Sequence, residues 1–434
     1  MDHEKTGRRE FLEAAGAAFT TSLFTGRVKG ANERVAMAFI GMGRQGRMNM
    51  SNAMRQPDVA IPAVCDVYEP HLQEAVKRTG GQARAVRDFR EILADKSVDA
   101  VCISAPDHWH AYMTVEACKA GKDVFVEKPV CVAVEEGQKM VEAARKYNRI
   151  VTAGTIHRSG PHFQKACEIV RSGQLGKVTW VRTGGGDQGN PAGCGNPPDS
   201  DPPDGLNWDM WLGPAPKRPF NKNRFGVDPQ AWSTFRYFWD YAGGTLTDIG
   251  VHWIDVLHLA LNEPTPSAVT AVGGRFWIED NTETPDTLLV SFEYPQLIAT
   301  WEQVSNNAFL MAEYGGGILF HGTKGTLLVT RGGYRIIPER RSDLQAVQVS
   351  ANASDGSGAD FWLAHMTNFV ACIKSRAKPN SDIETCYRST TACLLGNVAL
   401  RNKTRLDWDG QTVRQPEARR ALVREYRKPW ELVV

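Results

Sequence analysis

Two spacings of apolar residues alternate along the first third of this chain. An apolar run from Val35 breaks at Gly41-Met42-Gly43-Arg44-Gln45-Gly46, and a helix-compatible stretch over 44–55 follows. Residues 60–66 read as a second strand, although Pro62 sits awkwardly for a central ladder. Residues 70–79 read as a helix closed by Gly80-Gly81, and Asp88 to Glu91 has the form of a capping box opening a helix through Ala94. Residues 99–104 form a strand pattern halted by Ala105-Pro106, with Asp107 expected to cap a helix running to Gly121. Residues 123–127 are the next strand, ending in Glu127-Lys128-Pro129. Strands and helices alternating at these lengths predict right-handed βαβ units and an α/β fold with a doubly wound parallel (Rossmann) sheet. Ligands of such sheets sit at the carboxyl ends of strands, where Asp66, Ser104, Ala105, Pro106, Asp107, Glu127 and Lys128 fall.

The pattern then changes. After a strand over 149–153 and a helix over 161–172, residues 177–183 begin a new sheet. Residues 267–278, 286–294, 297–304, 317–321, 325–330 and 334–337 follow as strands with turn residues between them, which predicts a large, mostly antiparallel open sheet. A Ser/Gly/Asp linker over 351–359 precedes helices over 361–375 and 383–403 and a charged tail. Residues 184–207, dense in Gly, Pro, Asn and Asp, are expected to form a lid on the substrate side. The predicted division is 1–31 as an export signal, 32–153 as a nucleotide domain and 154–434 as an α/β substrate and oligomerisation domain. No internal repeat is visible.

Composition narrows the function classes. Lys+Arg total 51 against Asp+Glu 49, so bulk charge gives no case for nucleic acid or an anionic membrane. Nine scattered cysteines form no Cys-x-x-Cys pair and read as buried hydrophobes rather than disulfides or a metal site. Gly7-Arg8-Arg9-Glu10-Phe11-Leu12, with a weakly apolar stretch after it, has the form of a twin-arginine export signal, which predicts a periplasmic protein. Gly7 and Glu13 depart from that pattern, and the alternative is an N-terminal extension of a cytoplasmic protein. The apolar stretch is too short to span a bilayer, so no stable membrane insertion is expected.

The candidate chemistry starts at the glycines. Gly41 permits a tight turn, Gly43 lets the backbone approach a pyrophosphate, and Gly46 lets helix pack closely on strand. Met42, Arg44 and Gln45 lie between them. Asp66 stands where a carboxylate holds ribose hydroxyls and repels a 2′-phosphate, favouring NAD over NADP; its other reading is a cap for the helix near Pro70. Trp208, Trp211, Trp232, Phe235, Tyr237, Phe238, Trp239 and Tyr241, interleaved with Arg224, Arg236 and Asp240, suit stacking on sugar rings, with core packing as the competing account. Drawn as one helix, the segment 243–255 puts Asp248, His252 and Asp255 on one face. A histidine held by a carboxylate one turn away serves as a general base near neutral pH; a metal site is the alternative, which Gly250 and the lack of a further ligand disfavour.

The glycine motif, Asp66, the run Ala105-Pro106-Asp107-His108-Trp109-His110, Ala120-Gly121-Lys122-Asp123-Val124 and Glu127-Lys128-Pro129 resemble the Gfo/Idh/MocA oxidoreductase family. The resemblance covers essentially everything after residue 31. It implies that Lys128 reaches the substrate hydroxyl and the nicotinamide ribose. It also implies that Asp248 binds substrate, that His252 is the catalytic base, and that Ser104 to Asp107 and His110 line the cofactor. Arg158, Trp232 and Arg236 are further substrate-side candidates; a salt-bridged structural role is the alternative for Arg158, and Ile156 stands where the family often has Gln. A homodimer or homotetramer formed through the outer sheet face is implied, with no metal.

The resulting expectation is an NAD-dependent oxidoreductase acting on a hydroxyl of a sugar, cyclitol or glycoside. The alternatives are a redox-neutral, NAD-dependent glycosidase or lyase, and a non-catalytic NAD-dependent sugar sensor.

Overall fold

The computed structural model describes residues 34–185, 193–226, 233–262, 264–307, 315–351 and 360–434. The export segment and Trp232 lie outside the described residues. Two sheets organise the rest. The first carries β1 (Val35–Ile40), β2 (Val59–Ala60), β3 (Ala63–Cys65), β4 (Arg84–Val86), β5 (Ala100–Ile103), β6 (Asp123–Val126) and β7 (Val151–Ala153). All pairs are parallel in the order β4-β3-β1-β5-β6-β7, with β2 also beside β1. The strand expected over 60–66 is thus two short strands, split at Pro62, which has no N–H to donate to a ladder.

Helices α1 (Arg44–Met54), α2 (Glu69–Arg78), α3 (Phe89–Ala94), α4 (Asp107–Lys119) and α5 (Val134–Lys146) connect these strands. The cap at Asp88 forms, its carboxylate accepting from Arg90 N at 3.0 Å. Its reciprocal half does not, because Glu91 turns toward Arg84, 3.8 Å away. Asp107 is not a cap either: it is the first residue inside α4, with Pro106 before it.

The second sheet follows α6 (Pro161–Arg171), starting at β8 (Val178–Gly185). Then come α7 (Val251–Ala260), β9 (Ala268–Gly274), β10 (Thr287–Tyr294), β11 (Leu297–Val304), β12 (Gly316–Gly322), β13 (Gly325–Thr330), β14 (Gly333–Pro338) and β15 (Val347–Ser350). The chain closes with α8 (Phe361–Ser375), α9 (Ile383–Asn402) and β16 (Leu406–Asp407). The order is β15-β14-β13-β12-β8-β11-β10-β9-β16, antiparallel except where β8 meets β11.

The two layers interlock. Phe369 and Met366 of α8 enter the core of the first sheet with Phe39 and Phe125, and α9 packs against both α5 and β9. The charged tail is a strap rather than a free end. Its Tyr426 donates to Glu136 at 2.8 Å, and Trp430 packs edge-on against Trp109, 4.8 Å between ring centres. The outer face of the second sheet exposes Trp180, Val272, Leu289, Ile298 and Ile337. Trp180 lies beside Ile298 and Val272 beside Leu289 in register. All nine cysteines are free, and eight are buried. No helix among the described residues is long and apolar enough to cross a membrane.

Candidate active site

The glycine turn at the end of β1 has the shape its sequence requires. Gly41 has φ +86°, and a Cβ there would lie 2.5 Å from Ala105 N. A Cβ on Gly46 would lie 1.8 Å from the Gly41 carbonyl oxygen, so α1 packs on the turn only because it has none. Gly43 is the opposite case: no atom lies within 4 Å of its missing Cβ, and it precedes α1 with no side chain capping the helix. The first turn of α1 contains no acidic residue. An open approach to an uncapped, acid-free helix N-terminus is what a pyrophosphate needs, so the residues present fit a dinucleotide.

Asp66, at the end of β3, accepts from Met42 N at 2.6 Å and from Tyr68 N at 2.9 Å. It does not cap α2, whose first turn has no side-chain cap. Two of its lone-pair positions remain for ribose hydroxyls. It lines a cleft of about 700 Å³, open to solvent, with Gly41, Gly43, Ser104, Ala105 and Pro106. Trp211, Phe225 and Phe235 from the aromatic segment form the opposite wall. Most of that segment is packing: Trp211, Phe225, Phe235, Phe238 and Tyr241 form one buried cluster. Of the loop expected as a substrate-side lid, the end at 205–207 sits beside Asp66. Glu69 N donates to Gly205 O, and Asn207 N to Val67 O, so the segment is pinned beside Asp66 at the cofactor end.

Several predicted contacts turn inward. Glu127 is buried and accepts from Gln45 and Asn49, each at 2.8 Å, tying α1 to the end of β6. Gly154 makes room for it, since a Cβ there would lie 2.6 Å from Glu127 Oε2. Both ring nitrogens of His110 face carbonyl oxygens, Pro129 at 2.6 Å and Ala105 at 2.8 Å, so this imidazole braces the loops after β5 and β6. Burial lowers its pKa to about 4 against the pull of those carbonyls, and as a neutral ring it donates to one of the two.

Arg158 corrects an expectation. It is buried, and its guanidinium grips Asp255 through two hydrogen bonds of 2.7 and 2.9 Å, with Ser389 donating to the same carboxylate at 2.8 Å. This is a core ion pair, and it removes both residues from the cleft.

The catalytic candidates gather at the Lys128-Pro129 bond, which is cis. Lys128 Nζ donates to Asp248 O at 2.8 Å and to the Asp248 carboxylate. Arg236 Nε lies 3.2 Å from the same carboxylate. Burial raises the Asp248 pKa, but the charges of Lys128 and then Arg236 outweigh it and hold the carboxyl well below the usual range.

The expected single helical face is not formed. Leu246–Gly250 is a π turn that runs into α7, and the wider turn separates Asp248 from His252. Asp248 faces Lys128, Asp255 faces Arg158, and His252 is buried with no partner at Nδ1. Burial lowers the His252 pKa well below its ordinary value, and His157, Lys128 and Arg331 add to the effect. It is therefore a neutral imidazole at pH 7, able to accept a proton. Asp107 joins this group, buried with Oδ2 unpartnered; burial lifts its pKa to about 7 against the charge of Arg236.

Two residues here escape sequence reasoning. His157 lies with its ring centre 4.8 Å from that of His252, and Arg331 Nε donates to His157 Nε2 at 3.1 Å. The position of His157, just before Arg158, was a usable signal. Arg331 sits in a glycine-rich turn that reads as surface.

Against this geometry, three models of one family match the chain. The NAD-binding Rossmann fold of the GFO/IDH/MocA oxidoreductase family matches residues 35–155. Its C-terminal alpha/beta domain matches 162–273, and a further C-terminal domain of the family matches 221–328. A myo-inositol 2-dehydrogenase from Thermotoga maritima is 32% identical over 143 residues, 33% of this chain and 42% of that protein. A glycosyl hydrolase family 109 protein from Shewanella baltica is 29% identical over 202 residues, 39% of this chain and 44% of that protein. The chain thus spans less than half the length of these relatives. The crystal structure of the WlbA dehydrogenase from Bordetella pertussis, in complex with NADH and UDP-GlcNAcA, shares the fold. Its TM-score is 0.64 at 18% identity, covering 86% of this chain and 98% of that one. A dinucleotide cradle, a Glu-Lys-Pro strand end and three matching models of one family converge: the chain belongs to the GFO/IDH/MocA oxidoreductases, with an NAD-binding Rossmann fold over residues 35–155.

Proposed function

We propose that the protein oxidises a secondary hydroxyl of a sugar or polyol. The observation that carries this is the Lys128 ammonium held on Asp248 beside the dinucleotide cradle, with the neutral His252 imidazole within reach of its charge. When bound, NAD supplies the hydride acceptor. Lys128 polarises the substrate oxygen and stabilises it as its proton leaves. His252 accepts that proton, and a carbonyl product remains. Asp248 fixes the Lys128 ammonium in place, with Arg236 on the same carboxylate.

Lys128→Ala and His252→Ala are expected to lower kcat by at least about a hundredfold while leaving NAD affinity within about threefold. Isothermal titration with NAD, set beside turnover of each variant, checks this; near-wild-type kcat in either variant removes that residue from the chemistry. Because the His252 pKa lies well below 6.5, kcat/KM is expected to show no imidazole-like fall as pH drops from 7 to 6. A midpoint near 6.5 that vanishes in the His252 variant contradicts the neutral, desolvated base.

A second reading is favoured by the similarity to glycosyl hydrolase family 109 proteins. In it the same groups oxidise a glycoside hydroxyl, the aglycone is eliminated, water adds, and the hydride returns, with no net change in NAD.

The apolar outer face built on Trp180, Val272, Leu289 and Ile298 supports a homo-oligomer assembled through the second sheet. Sedimentation of Trp180→Asp with Ile298→Asp is expected to give monomer; an unchanged assembly places the interface elsewhere. Arg8-Arg9 and the free cysteines support export of the folded chain to the periplasm. Replacing both arginines by lysine is expected to retain the protein in the cytoplasm, and undiminished periplasmic recovery argues against that route.

A further inference from the structure

Among the described residues, the carboxylate of Asp248 stands in the field of three cations. Lys128 and Arg236 share one ionised partner, Asp248. Arg331, from the turn between β13 and β14, brings a third cation into the same field, acting on Asp248, His157 and His252. Among the described residues it forms no ion pair. Its Nε is spent on His157, and no partner takes its two terminal nitrogens. The remaining acid, Asp107, is lifted to about 7, so at neutral pH it is only half ionised and offsets part of that charge.

Arg331 is exposed, one hydrogen bond away from the buried His157. Solvent touches the residue, yet the surrounding protein lowers its pKa through desolvation. A flat guanidinium so placed matches a carboxylate, which takes two parallel N–H bonds from it. A neutral hydroxyl uses one donor and leaves the charge uncompensated. His157, which accepts from Arg331 and lies with its ring centre 4.8 Å from that of His252, links the receiving arginine to the base.

We propose that the substrate of this cleft is an acidic sugar, a uronic or aldonic acid, whose carboxylate is received by Arg331 while a ring or chain hydroxyl faces Lys128 and His252. This rests on the reading of the cleft as a sugar site.

The test is calorimetric titration of the NAD-loaded protein with matched pairs: D-glucuronate against D-glucose, D-galacturonate against D-galactose, and D-gluconate against D-glucitol, with D-glucose 6-phosphate alongside. In at least one pair the acid is expected to bind about tenfold tighter than its neutral partner. Arg331→Gln is expected to bring that ratio to within about twofold, and Arg331→Lys, which keeps the charge without the fork, to an intermediate value. Equal affinities throughout, no binding by any acid, or a preference that survives Arg331→Gln overturns the proposal. So does an equal loss for acid and neutral sugar, which makes Arg331 a prop for His157, or a gain confined to the phosphate. Reduction of NAD is followed separately. Acid binding without any hydride transfer sinks the oxidoreductase reading alone, and turnover of neutral sugars with no acid preference sinks this inference alone.

Discussion

The carboxylate of Asp248 joins two parts of the chain that local structure alone would leave apart. Lys128 stands at the end of a parallel strand, and Asp248 on a π turn 120 residues later; their ion pair, with Arg236 on the same oxygen, fixes where the ammonium points. Partly buried pairs of this kind are weak evidence for stability, because desolvation offsets much of the attraction. Their value here is positional. Without Asp248 two cations would face each other in a partly dry cleft, and Lys128 would be free to swing away from the oxygen it has to polarise.

The rest of the site is arranged so that this pair meets a dinucleotide. Glu127, one residue before Lys128, is held by Gln45 and Asn49 of the helix whose N-terminus faces the cradle. His110 braces the loops after β5 and β6 from the other side. These buried polar groups are saturated by protein partners, so they transmit rigidity rather than contact a ligand. The core pair of Arg158 and Asp255 does the same for the joint between the two layers.

Much of this was legible in the sequence where local rules decide. Gly41 and Gly46 announced a cradle because neither position has room for a side chain, and Gly43 because it leaves the approach to α1 open; the apolar runs gave both sheets apart from β4, β15 and β16. Pro62 marks an awkward place in the strand expected over 60–66, and the break falls there. What failed was whatever depends on distant partners. The segment 248–255 looked like one helical face, but a π turn changed its register, and Asp248 pairs with Lys128 while Asp255 pairs with Arg158. Arg158 looked like a substrate ligand because sequence does not show Asp255 waiting in the core. Arg331 was invisible, since a turn arginine carries no sign of the histidine it reaches. The substrate is hidden for the same reason: fold and family leave it open, and the cleft side chains decide it.

The account stands or falls on hydride transfer to nicotinamide in this cleft. Single-turnover absorbance of reduced nicotinamide measures it directly, with concentrated protein and NAD mixed against acidic and neutral sugars, polyols and glycosides. The account predicts a rise with at least one of them, steady for net oxidation or transient if the hydride returns. NAD shown to be bound, with no rise on any time scale from any of these compounds, would contradict it.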